Sequence, residues 1–361
     1  MSITRFGLIG CGWRAEFFTR VAQALPDRFE VERVLIRDPA KPKAQEFLKR
    51  WPLPTCTTVD ELLRDAKMTF VVLSAQAASN PELLAALADR RMPALCETPP
   101  ARGVPEMTAL HELTRSGARI QVAEQLHLRP HHAARIALAR SGLLGRVHEA
   151  QVAVAHGYHG VSLIRRLLGI NFEDATITAR RVFSKIVAGP GREGPPTEDK
   201  TEDVMQEIAW LDFGDRLGIY DFAGSQYFSW VRSVRTLVLG DRGEIHNDEV
   251  RYLKDFRTPV HLKLQREVAG EGDNLEGFHL RGILAGDQWA YTNPFIPARL
   301  SDDEIAIASC LEKMAKYAEG GPDFYSLPEA CQDHYLGQMI SQAARSGERV
   351  TTQRQAWAPE P

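Results

Sequence analysis

The sequence predicts an α/β protein in which a doubly wound parallel sheet is followed by an α+β domain with a large open, mostly antiparallel sheet. Three observations support this fold class. Strand-like and helix-like periods alternate over the first 123 residues, as they do in parallel sheets with crossover helices. A glycine-rich turn separates the first strand from the first helix. From about Glu124, alternating strands are joined by glycine turns, which places the predicted domains at 1–123 and 124–361.

The elements of the first domain follow from local patterns. Pro26 ends the first helix, whose aromatic and aliphatic residues recur at helical spacing. Thr58 and Glu61 form a capping box, and Asn80 is the expected N-cap of a helix with Pro81 at its first position. The predicted strands span residues 5–9, 31–36, 69–74, 94–97 and 120–123, and the first helix spans 14–25.

The second domain begins with one helical stretch and continues as strands. Turns are expected at Gly214 and between Gly240 and Gly243, where glycine permits the backbone to reverse. The segment 188–203 is rich in glycine and proline and has too few apolar residues to pack, which predicts a mobile surface loop. The predicted helices span residues 130–141, 302–319 and 328–346.

The composition excludes several classes of protein. Of the 361 residues, 44% are hydrophobic and 25% are charged, as in an average globular protein. Lys and Arg number 44 against 47 Asp and Glu, and no basic block could neutralise a row of phosphates, so nucleic acid is not an expected partner. No apolar run approaches the roughly 18 residues of a membrane span. Five scattered cysteines without a Cys-x-x-Cys pair favour a reducing compartment, and we expect a cytoplasmic protein.

The turn after the first strand carries a dinucleotide fingerprint. Gly10, Gly12 and Ala15 match the pattern G-x-G-x-x-G/A. Gly10 permits a tight turn, Gly12 lets the backbone approach a pyrophosphate, and Ala15 lets the helix pack closely on the strand. An ordinary glycine-rich turn is the alternative, but the strand before it and the helix after it favour nucleotide binding.

The end of the second strand bears on the choice of cofactor. An NAD enzyme usually has a carboxylate there for the ribose hydroxyls, whereas this chain has Ile36 and then Arg37, and an arginine can pair with a 2′-phosphate. The alternative is that Arg37 lies over the adenine ring in either cofactor while Asp38 reaches the ribose. The expected cofactor is NADP or NAD, with NADP bound at least as well as NAD.

Further motifs are spread over nearly the whole chain. They are Ala-Leu-Cys-Glu-Thr-Pro at 94–99, Val-Ala-Glu-Gln at 122–125, Ser-Gly-Leu-Leu-Gly at 141–145, the stretch 159–169, Phe-Tyr-Ser-Leu at 324–327 and Gln-Asp-His-Tyr at 332–335. Together with the glycine fingerprint they resemble the Gfo/Idh/MocA oxidoreductases. The resemblance implies a Rossmann domain and a C-terminal α+β domain whose open sheet pairs subunits into homodimers or homotetramers. It also implies hydride transfer between a nicotinamide and a hydroxyl-bearing carbon of a sugar or cyclic polyol.

Two departures from the family pattern concern its catalytic residues. The family usually has Glu-Lys-Pro, with the lysine hydrogen-bonding the reacting hydroxyl, where this chain has Glu97-Thr98-Pro99. The family commonly has an aspartate four residues before a histidine, where this chain has Ala155 before the retained His159.

The resemblance implies that His159 faces the nicotinamide. A histidine near its neutral pKa can take a proton from a hydroxyl group; the alternative is that His159 caps a helix or satisfies a buried carbonyl. His156 is a second candidate, on proximity alone. Thr98 has no acid or base capacity near neutral pH and is expected to orient a substrate oxygen. Glu97 is either an acid or base in the cleft or a partner for the neighbouring loop.

The fingerprint and the resemblance also imply the cofactor-binding residues. These are Gly10, Gly12, Trp13, Arg14, Ala15, Arg37, Asp38, Ser74, Glu97 and Gln125. No metal site is expected, because His131 and His132 are adjacent and do not share a helix face. Asp333 and His334 are expected to make buried polar contacts on the last helix.

The sequence therefore predicts an NAD(P)-dependent oxidoreductase that acts on a small molecule, a sugar or cyclic polyol. Two alternatives stay open at this point. A tightly bound NAD could be used transiently, so that net elimination or glycoside hydrolysis results. The chain could instead be a catalytically inactive, nucleotide-binding regulatory protein. The absent lysine and aspartate favour these alternatives, whereas the retained His159 favours an enzyme.

Overall fold

The computed structural model describes residues 3–270 and 277–360, which divide into two compact units. The first unit falls within Met1–Pro130, Glu267–Arg281 and Asn293–Cys331, and the second within His131–Arg266, Gly282–Thr292 and Gln332–Pro361. The units are not continuous stretches, because the chain returns to the first unit twice after residue 266. A domain boundary between residues 123 and 124 stays a prediction.

The N-terminal part of the first unit alternates between strand and helix. Its elements are β1 (Thr4–Ile9), α1 (Ala15–Ala24), β2 (Phe29–Leu35), α2 (Pro42–Arg50), β3 (Thr55–Cys56), α3 (Val59–Leu63), β4 (Phe70–Leu73), α4 (Asn80–Asp89), β5 (Ala94–Cys96), α5 (Val104–Arg115) and β6 (Ile120–Val122). The strands form one parallel sheet in the order β3-β2-β1-β4-β5-β6. The predicted doubly wound parallel sheet is confirmed, and its order reverses between β1 and β4, where ligands bind in such folds.

Local sequence accounts for these elements. Phe6, Leu8 and Ile9 of β1 are buried. Because successive side chains of a strand point to opposite faces, β1 is covered on both faces, as a central parallel strand is expected to be. The predicted capping box is present at the start of α3, where the Thr58 hydroxyl accepts a hydrogen bond from the Glu61 backbone N at 3.2 Å. It satisfies a backbone donor that the helix leaves without a partner.

The start of α4 differs from the prediction. Ser79 stands at the N-cap position, and Asn80 is the first helical residue. A short 3-10 turn, Ala77–Ser79, precedes the helix and moves its start by one residue. The Asn80 side chain instead donates to the carbonyl oxygen of Pro99 at 3.2 Å.

The rest of the chain forms a second sheet and longer helices. The elements are α6 (Pro130–Arg140), β7 (Val147–Ala153), α7 (Gly157–Leu168), β8 (Thr176–Val187), β9 (Thr201–Asp212), β10 (Leu217–Ala223), β11 (Arg235–Gly240), β12 (Gly243–His246), β13 (Glu249–Leu253), β14 (Pro259–Ala269), β15 (His279–Ala285), β16 (Gln288–Thr292), α8 (Asp302–Ala318), α9 (Leu327–Ser346) and β17 (Val350–Thr351). Among the helices described, no stretch is long and apolar enough to cross a bilayer.

The second sheet has the strand order β16-β15-β14-β13-β12-β11-β7-β10-β9-β8-β17. Strands β7 and β10 pair in parallel, whereas β8–β9, β9–β10 and β11–β12 are antiparallel. The predicted large, mostly antiparallel sheet is confirmed. Its turns at Gly214 and between Gly240 and Gly243 lie where the sequence indicates them.

Strands β8 and β9 form a regular hairpin in which Val187 lies opposite Thr201. The surface loop predicted over 188–203 is therefore wrong at its C-terminal end: residues 201–203 belong to β9, and the connection spans 188–200. Pairing with β8 gives the backbone of residues 201–203 hydrogen-bond partners in the sheet. This stabilises the strand although their polar side chains do not favour it. The mobility of the connection stays a prediction.

Helix α7 packs on one face of the second sheet, at β7 and β10. Gly218 permits this close approach, because a Cβ there would lie 2.6 Å from Cγ2 of Ile164 in α7. Residue 218 pairs with Leu211, so the neighbouring Trp210 lies on the opposite face. Val182 shares that opposite face, and the two residues are 43% (Val182) and 42% (Trp210) exposed.

Candidate functional site

The turn between β1 and α1 leaves open space at Gly12. Gly10 has φ of +110°, and a Cβ there would lie 2.3 Å from the carbonyl oxygen of Ser74, so the position requires glycine. A Cβ at Gly12 would meet nothing within 4 Å. Ala15 is fully buried at the start of α1. The turn therefore combines a tight reversal, an approachable backbone and close helix packing, as the dinucleotide fingerprint requires.

Arg14, in the same turn, bonds two carboxylates from distant parts of the first unit. Its Nε donates to Glu97 Oε1 at 3.0 Å, and its Nη1 donates to Asp303 Oδ2 at 2.9 Å. Arg129 Nη2 donates to Asp303 Oδ1 at 2.9 Å. We call these four residues the Arg14 cluster. It brings together two predicted site residues, Arg14 and Glu97, and adds Asp303 and Arg129, for which the sequence contains no local signal.

Burial and charge oppose each other in the Arg14 cluster. Burial lowers the pKa of the Arg14 guanidinium, but Glu97 and Asp303 together raise it by a larger amount. This pKa therefore lies above its ordinary value. Burial raises the pKa of the Asp303 carboxyl, but Arg14 and Arg129 lower it by more, so that this pKa lies below its ordinary value. Arg14 and Asp303 are therefore both ionised near neutral pH.

Glu97 has both carboxylate oxygens engaged within the first unit. Oε1 accepts from Arg14, and Oε2 accepts from the backbone N of Thr98 at 3.3 Å. The Glu97 residue is 6% exposed. These contacts agree with the alternative in which Glu97 supports the loop that follows β5.

Several buried polar atoms of the first unit have no hydrogen-bond partner among residues 3–270 and 277–360, and three of them lie shortly after strands of the parallel sheet. These three are Arg14 Nη2, Asn80 Oδ1 and Gln125 Oε1. Arg14 follows β1, Asn80 follows β4 and Gln125 follows β6, so all three lie beyond the carboxyl ends of parallel strands, where ligands bind in this fold.

These atoms fit a dinucleotide. Buried polar atoms nearly always have a hydrogen-bond partner. A guanidinium N–H suits a phosphate oxygen, and an amide oxygen suits an N–H donor of a ligand. With the open backbone at Gly12, the first unit has an approachable turn and polar groups that suit a dinucleotide.

The residues after β2 are exposed. Asp38 Oδ1 accepts from the backbone N of Ala40 at 3.2 Å, and Lys41 Nζ lies 3.9 Å from Oδ2. The preceding Ile36 is 4% exposed, so its side chain belongs to the core and offers nothing to a ribose. Arg37 is exposed at the end of this strand, where a 2′-phosphate or adenine contact is expected. Trp13, in the glycine turn, is 42% exposed.

In the second unit, His156 and His159 lie together at the start of α7. His156 is the N-cap residue, with extended backbone and no side-chain cap bond. The backbone N of His159 donates to the His156 carbonyl oxygen at 3.1 Å. The two imidazole rings have centroids 5.0 Å apart, and the His159 ring lies 4.5 Å from the Tyr158 ring. The helix cap is therefore at His156, which removes the alternative that His159 caps this helix.

Two tyrosines that the sequence did not indicate contact the same turn. Tyr227 Oη lies 2.6 Å from His156 Nδ1 and accepts from the His156 backbone N at 3.1 Å. Tyr220 Oη accepts from the backbone N of Gly157 at 2.9 Å. Burial raises the pKa of Tyr220 well above its ordinary value, so its phenol stays neutral. Neither tyrosine belongs to a local motif. Tyr227 is 71 residues after His156, and Tyr220 is 63 residues after Gly157.

Asp333 of α9 makes the buried contact expected of it. Arg165 Nη1 donates to Asp333 Oδ1 at 2.6 Å, with side chains 6% and 2% exposed. His334 is near Tyr158, with ring centroids 5.6 Å apart. The closing helix thus supports α7 in the second unit.

The predicted site residues therefore fall into two groups. The first unit contains the residues of the glycine turn and Arg37, Asp38, Ser74, Glu97, Thr98 and Gln125, and the second unit contains His156 and His159.

Comparison with known proteins begins with a family model. Residues 4–124 match the model described as an oxidoreductase family with an NAD-binding Rossmann fold. Myo-inositol dehydrogenase Hyg17 of Streptomyces leeuwenhoekii is 30% identical over 188 residues. The match covers 49% of this chain and 57% of that dehydrogenase, so it spans less than two thirds of the relative.

Solved structures share the fold over nearly the full length. An oxidoreductase from Agrobacterium radiobacter in complex with NAD+, L-tartaric acid and magnesium has a TM-score of 0.68 at 16% identity, covering 97% of this chain and 98% of that chain. Levoglucosan dehydrogenase in complex with NADH and levoglucosan has a TM-score of 0.68 at 15% identity, covering 96% of this chain and 99% of that chain. At these identities the likeness concerns the fold.

Proposed function

The chain belongs to the Gfo/Idh/MocA family of oxidoreductases, and on that basis we propose that it is an NAD(P)-dependent dehydrogenase of a sugar or cyclic polyol. The observation that carries the proposal is the open glycine turn after β1 together with three unpartnered buried polar atoms that follow β1, β4 and β6. Arg14 Nη2, Asn80 Oδ1 and Gln125 Oε1 supply one donor and two acceptors for a ligand at the edge of the parallel sheet.

The chain's own residues hold the dinucleotide. The Gly12 backbone and the Arg14 guanidinium bind its diphosphate, as expected at the N-terminus of a helix. Gln125 accepts a hydrogen bond from an amide or hydroxyl donor of the ligand. The bound nicotinamide supplies the hydride donor or acceptor.

Proton transfer falls to His159. It is half-buried at the start of α7, and an imidazole can exchange a proton with a substrate hydroxyl near neutral pH. Glu97 is bonded to Arg14 and the Thr98 backbone, so it supports the site and leaves the acid–base step to His159. The Thr98 hydroxyl has no charge to offer and orients a substrate oxygen in place of the family's lysine.

The substrate class follows from the relatives. One is a myo-inositol dehydrogenase and another is a levoglucosan dehydrogenase, both acting on small polyhydroxylated rings. We extend this class, a sugar or cyclic polyol, to the present chain. The relatives do not favour the transient-redox or non-catalytic alternatives, since both are dehydrogenases.

NADP is the cofactor that the end of β2 favours. Ile36 is buried and offers no carboxylate to a ribose, whereas the exposed Arg37 has a planar fork of donors for a 2′-phosphate. Lys41, which lies 3.9 Å from Asp38 Oδ2, adds positive charge beside it. Asp38 would be repelled by a phosphate, and its contact with Lys41 offsets that charge.

The assembly and location are also part of the proposal. The face of the second sheet opposite α7 has exposed apolar side chains at Val182 and Trp210, and an exposed apolar surface of this kind suits a second copy of the chain in a homodimer or homotetramer. The structure joins none of the five cysteines, all of them described residues, in a disulfide, and reduced thiols suit the cytoplasm.

Glycine substitutions provide the test. Gly12→Ala adds a methyl group where the protein has nothing within 4 Å, so the free energy of unfolding should be preserved while NADP and NAD affinity falls. Gly224→Ala is the matched control, because a Cβ there also meets nothing within 4 Å and its φ lies outside the left-handed region.

The experiment uses calorimetric titration of both variants with each dinucleotide. It also uses an assay of NAD(P)H formation with a panel of cyclic polyols and sugars. Equal dinucleotide affinity in Gly12→Ala and the parent protein would contradict the proposed cofactor site. Normal dinucleotide binding without oxidation of any polyol or sugar would contradict the proposed substrate class.

A further inference from the structure

We propose that Tyr227 is a positioning residue that holds the proton of His156 on Nε2, so that His156 donates a hydrogen bond to substrate while His159 accepts the substrate proton. The use of this arrangement in catalysis rests on the proposed function. The arrangement itself concerns two side chains of the second unit and can be measured without cofactor or substrate.

The first observation is the length of the contact between the two side chains. Tyr227 Oη lies 2.6 Å from His156 Nδ1. Hydrogen bonds donated by N–H to oxygen mostly fall at about 2.7–3.2 Å, whereas those donated by a hydroxyl to oxygen extend down to about 2.5 Å. The short distance therefore indicates that the Tyr227 O–H donates to an unprotonated Nδ1.

The second observation is that the phenol oxygen of Tyr227 also accepts a hydrogen bond from the backbone of His156. The His156 backbone N–H donates to Tyr227 Oη at 3.1 Å, which occupies a lone pair. A phenol that accepts this bond still has its own proton to give, and Nδ1 lies 2.6 Å from Oη. Both hydrogen bonds join Tyr227 to His156. The Phe222 ring packs edge-on against the Tyr227 ring, with centroids 4.9 Å apart.

The consequence concerns the two nitrogens of His156. In a neutral imidazole one nitrogen is a donor and the other an acceptor, and the hydrogen bond at one nitrogen sets the role of the other. With Nδ1 accepting from Tyr227, Nε2 carries the proton and acts as a donor. A donor cannot take the substrate proton, so His156 orients a substrate oxygen and the acid–base role stays with His159.

Tyr220 provides a matched control for this contact. It reaches the same turn with its phenol oxygen, accepting from the Gly157 backbone N at 2.9 Å. Both Tyr227→Phe and Tyr220→Phe remove one bond to the backbone of the turn, but only the first also removes the bond to the imidazole. A difference between the two variants therefore reports on the His156 contact and not on general loosening of the turn.

The experiment is nitrogen NMR of the full chain labelled at histidine with ¹⁵N and ¹³C. His156→Gln identifies the His156 signals by their loss, and the His159 signals serve as an internal reference that also reports folding. In the parent protein we expect His156 Nε2 to carry a bound proton and Nδ1 to show the shift of an unprotonated, hydrogen-bonded nitrogen. In Tyr227→Phe the Nδ1 and Nε2 shifts should move toward the values of an exchanging tautomer mixture. In Tyr220→Phe they should keep the parent values.

Two outcomes would overturn the proposal. One is a parent protein in which His156 carries its proton on Nδ1. The other is a Tyr227→Phe variant whose His156 nitrogen shifts equal those of the parent. If Tyr220→Phe unfolds, the comparison of the parent with Tyr227→Phe still decides, because Tyr227 is 43% exposed and its hydroxyl can be removed without opening the core. Neither overturning outcome bears on the dinucleotide site, which the Gly12→Ala titration tests separately.

Discussion

Replacing Asp303 by asparagine should destabilise the first unit by removing the charge at the centre of the Arg14 cluster. Asp303 accepts from Arg14 at 2.9 Å and from Arg129 at 2.9 Å. Asparagine keeps the size of the side chain and one acceptor oxygen but loses the negative charge. The Arg14 guanidinium would then have Glu97 as its one carboxylate partner in the Arg14 cluster, while its side chain stays 17% exposed.

The magnitude follows from the burial of the partners. Removing one member of a fully buried ion pair costs about 3–5 kcal/mol. Arg14 keeps its ion pair with Glu97, and Arg129 is 36% exposed and can be solvated. We therefore expect a loss of about 2 kcal/mol, which is smaller than that of a fully buried pair. For a unit of this size that corresponds to a fall in Tm of roughly 4–8 °C.

Urea denaturation and calorimetry at neutral pH measure this loss. The matched control is Asp60→Asn: Asp60 also lies in the first turn of a helix and accepts from an arginine, Arg90, at 2.8 Å, but its side chain is 72% exposed. An exposed pair contributes less than about 1 kcal/mol. Equal losses of stability in the two variants would refute the view that burial gives the Arg14 cluster its strength.

The dependence of this loss on pH has a definite sign. In the folded protein burial raises the pKa of the Asp303 carboxyl, and Arg14 and Arg129 lower it by more, so the pKa is depressed. A carboxyl with a depressed pKa stabilises the fold fully above its unfolded value, about 3.9 for aspartate, and loses that contribution as the pH falls through the folded value. The difference between the parent and Asp303→Asn should be constant from about pH 5 upward and shrink below it.

Two further predictions concern catalysis and cofactor choice. His159→Ala should lower kcat by about 10²-fold or more with little change in dinucleotide Kd, whereas Thr98→Ala should mainly raise the KM for substrate; unimpaired turnover in His159→Ala would exclude it as the proton-transfer group. Arg37→Ala should weaken NADP binding and leave NAD binding nearly unchanged, as measured by titration with both dinucleotides, and a preference for NAD that the substitution does not alter would remove the case for a 2′-phosphate contact.

The fold could be predicted largely from local patterns. Buried runs such as Phe6 and Leu8, the Thr58–Glu61 capping box and the glycine turn each depend on residues within a few positions of one another, which is the range over which periodicity and capping act. Of the two exceptions, the first is local in cause and the second depends on pairing with another strand. A 3-10 turn places Ser79 at the N-cap, so that α4 begins at Asn80, one residue earlier than predicted. Pairing with β8 includes residues 201–203 in a strand despite their polar side chains.

The sequence by itself determined the parallel sheet, the dinucleotide fingerprint and the positions of Glu97, Thr98 and His159 in the family's motifs, because all of these are written in contiguous residues. Only the tertiary structure decided which polar groups meet. Arg14 and Asp303 are 289 positions apart, and His156 and Tyr227 are 71 apart. A hydrogen bond between such distant residues depends on how whole elements pack, and the spacing of residues within one element carries no information about it.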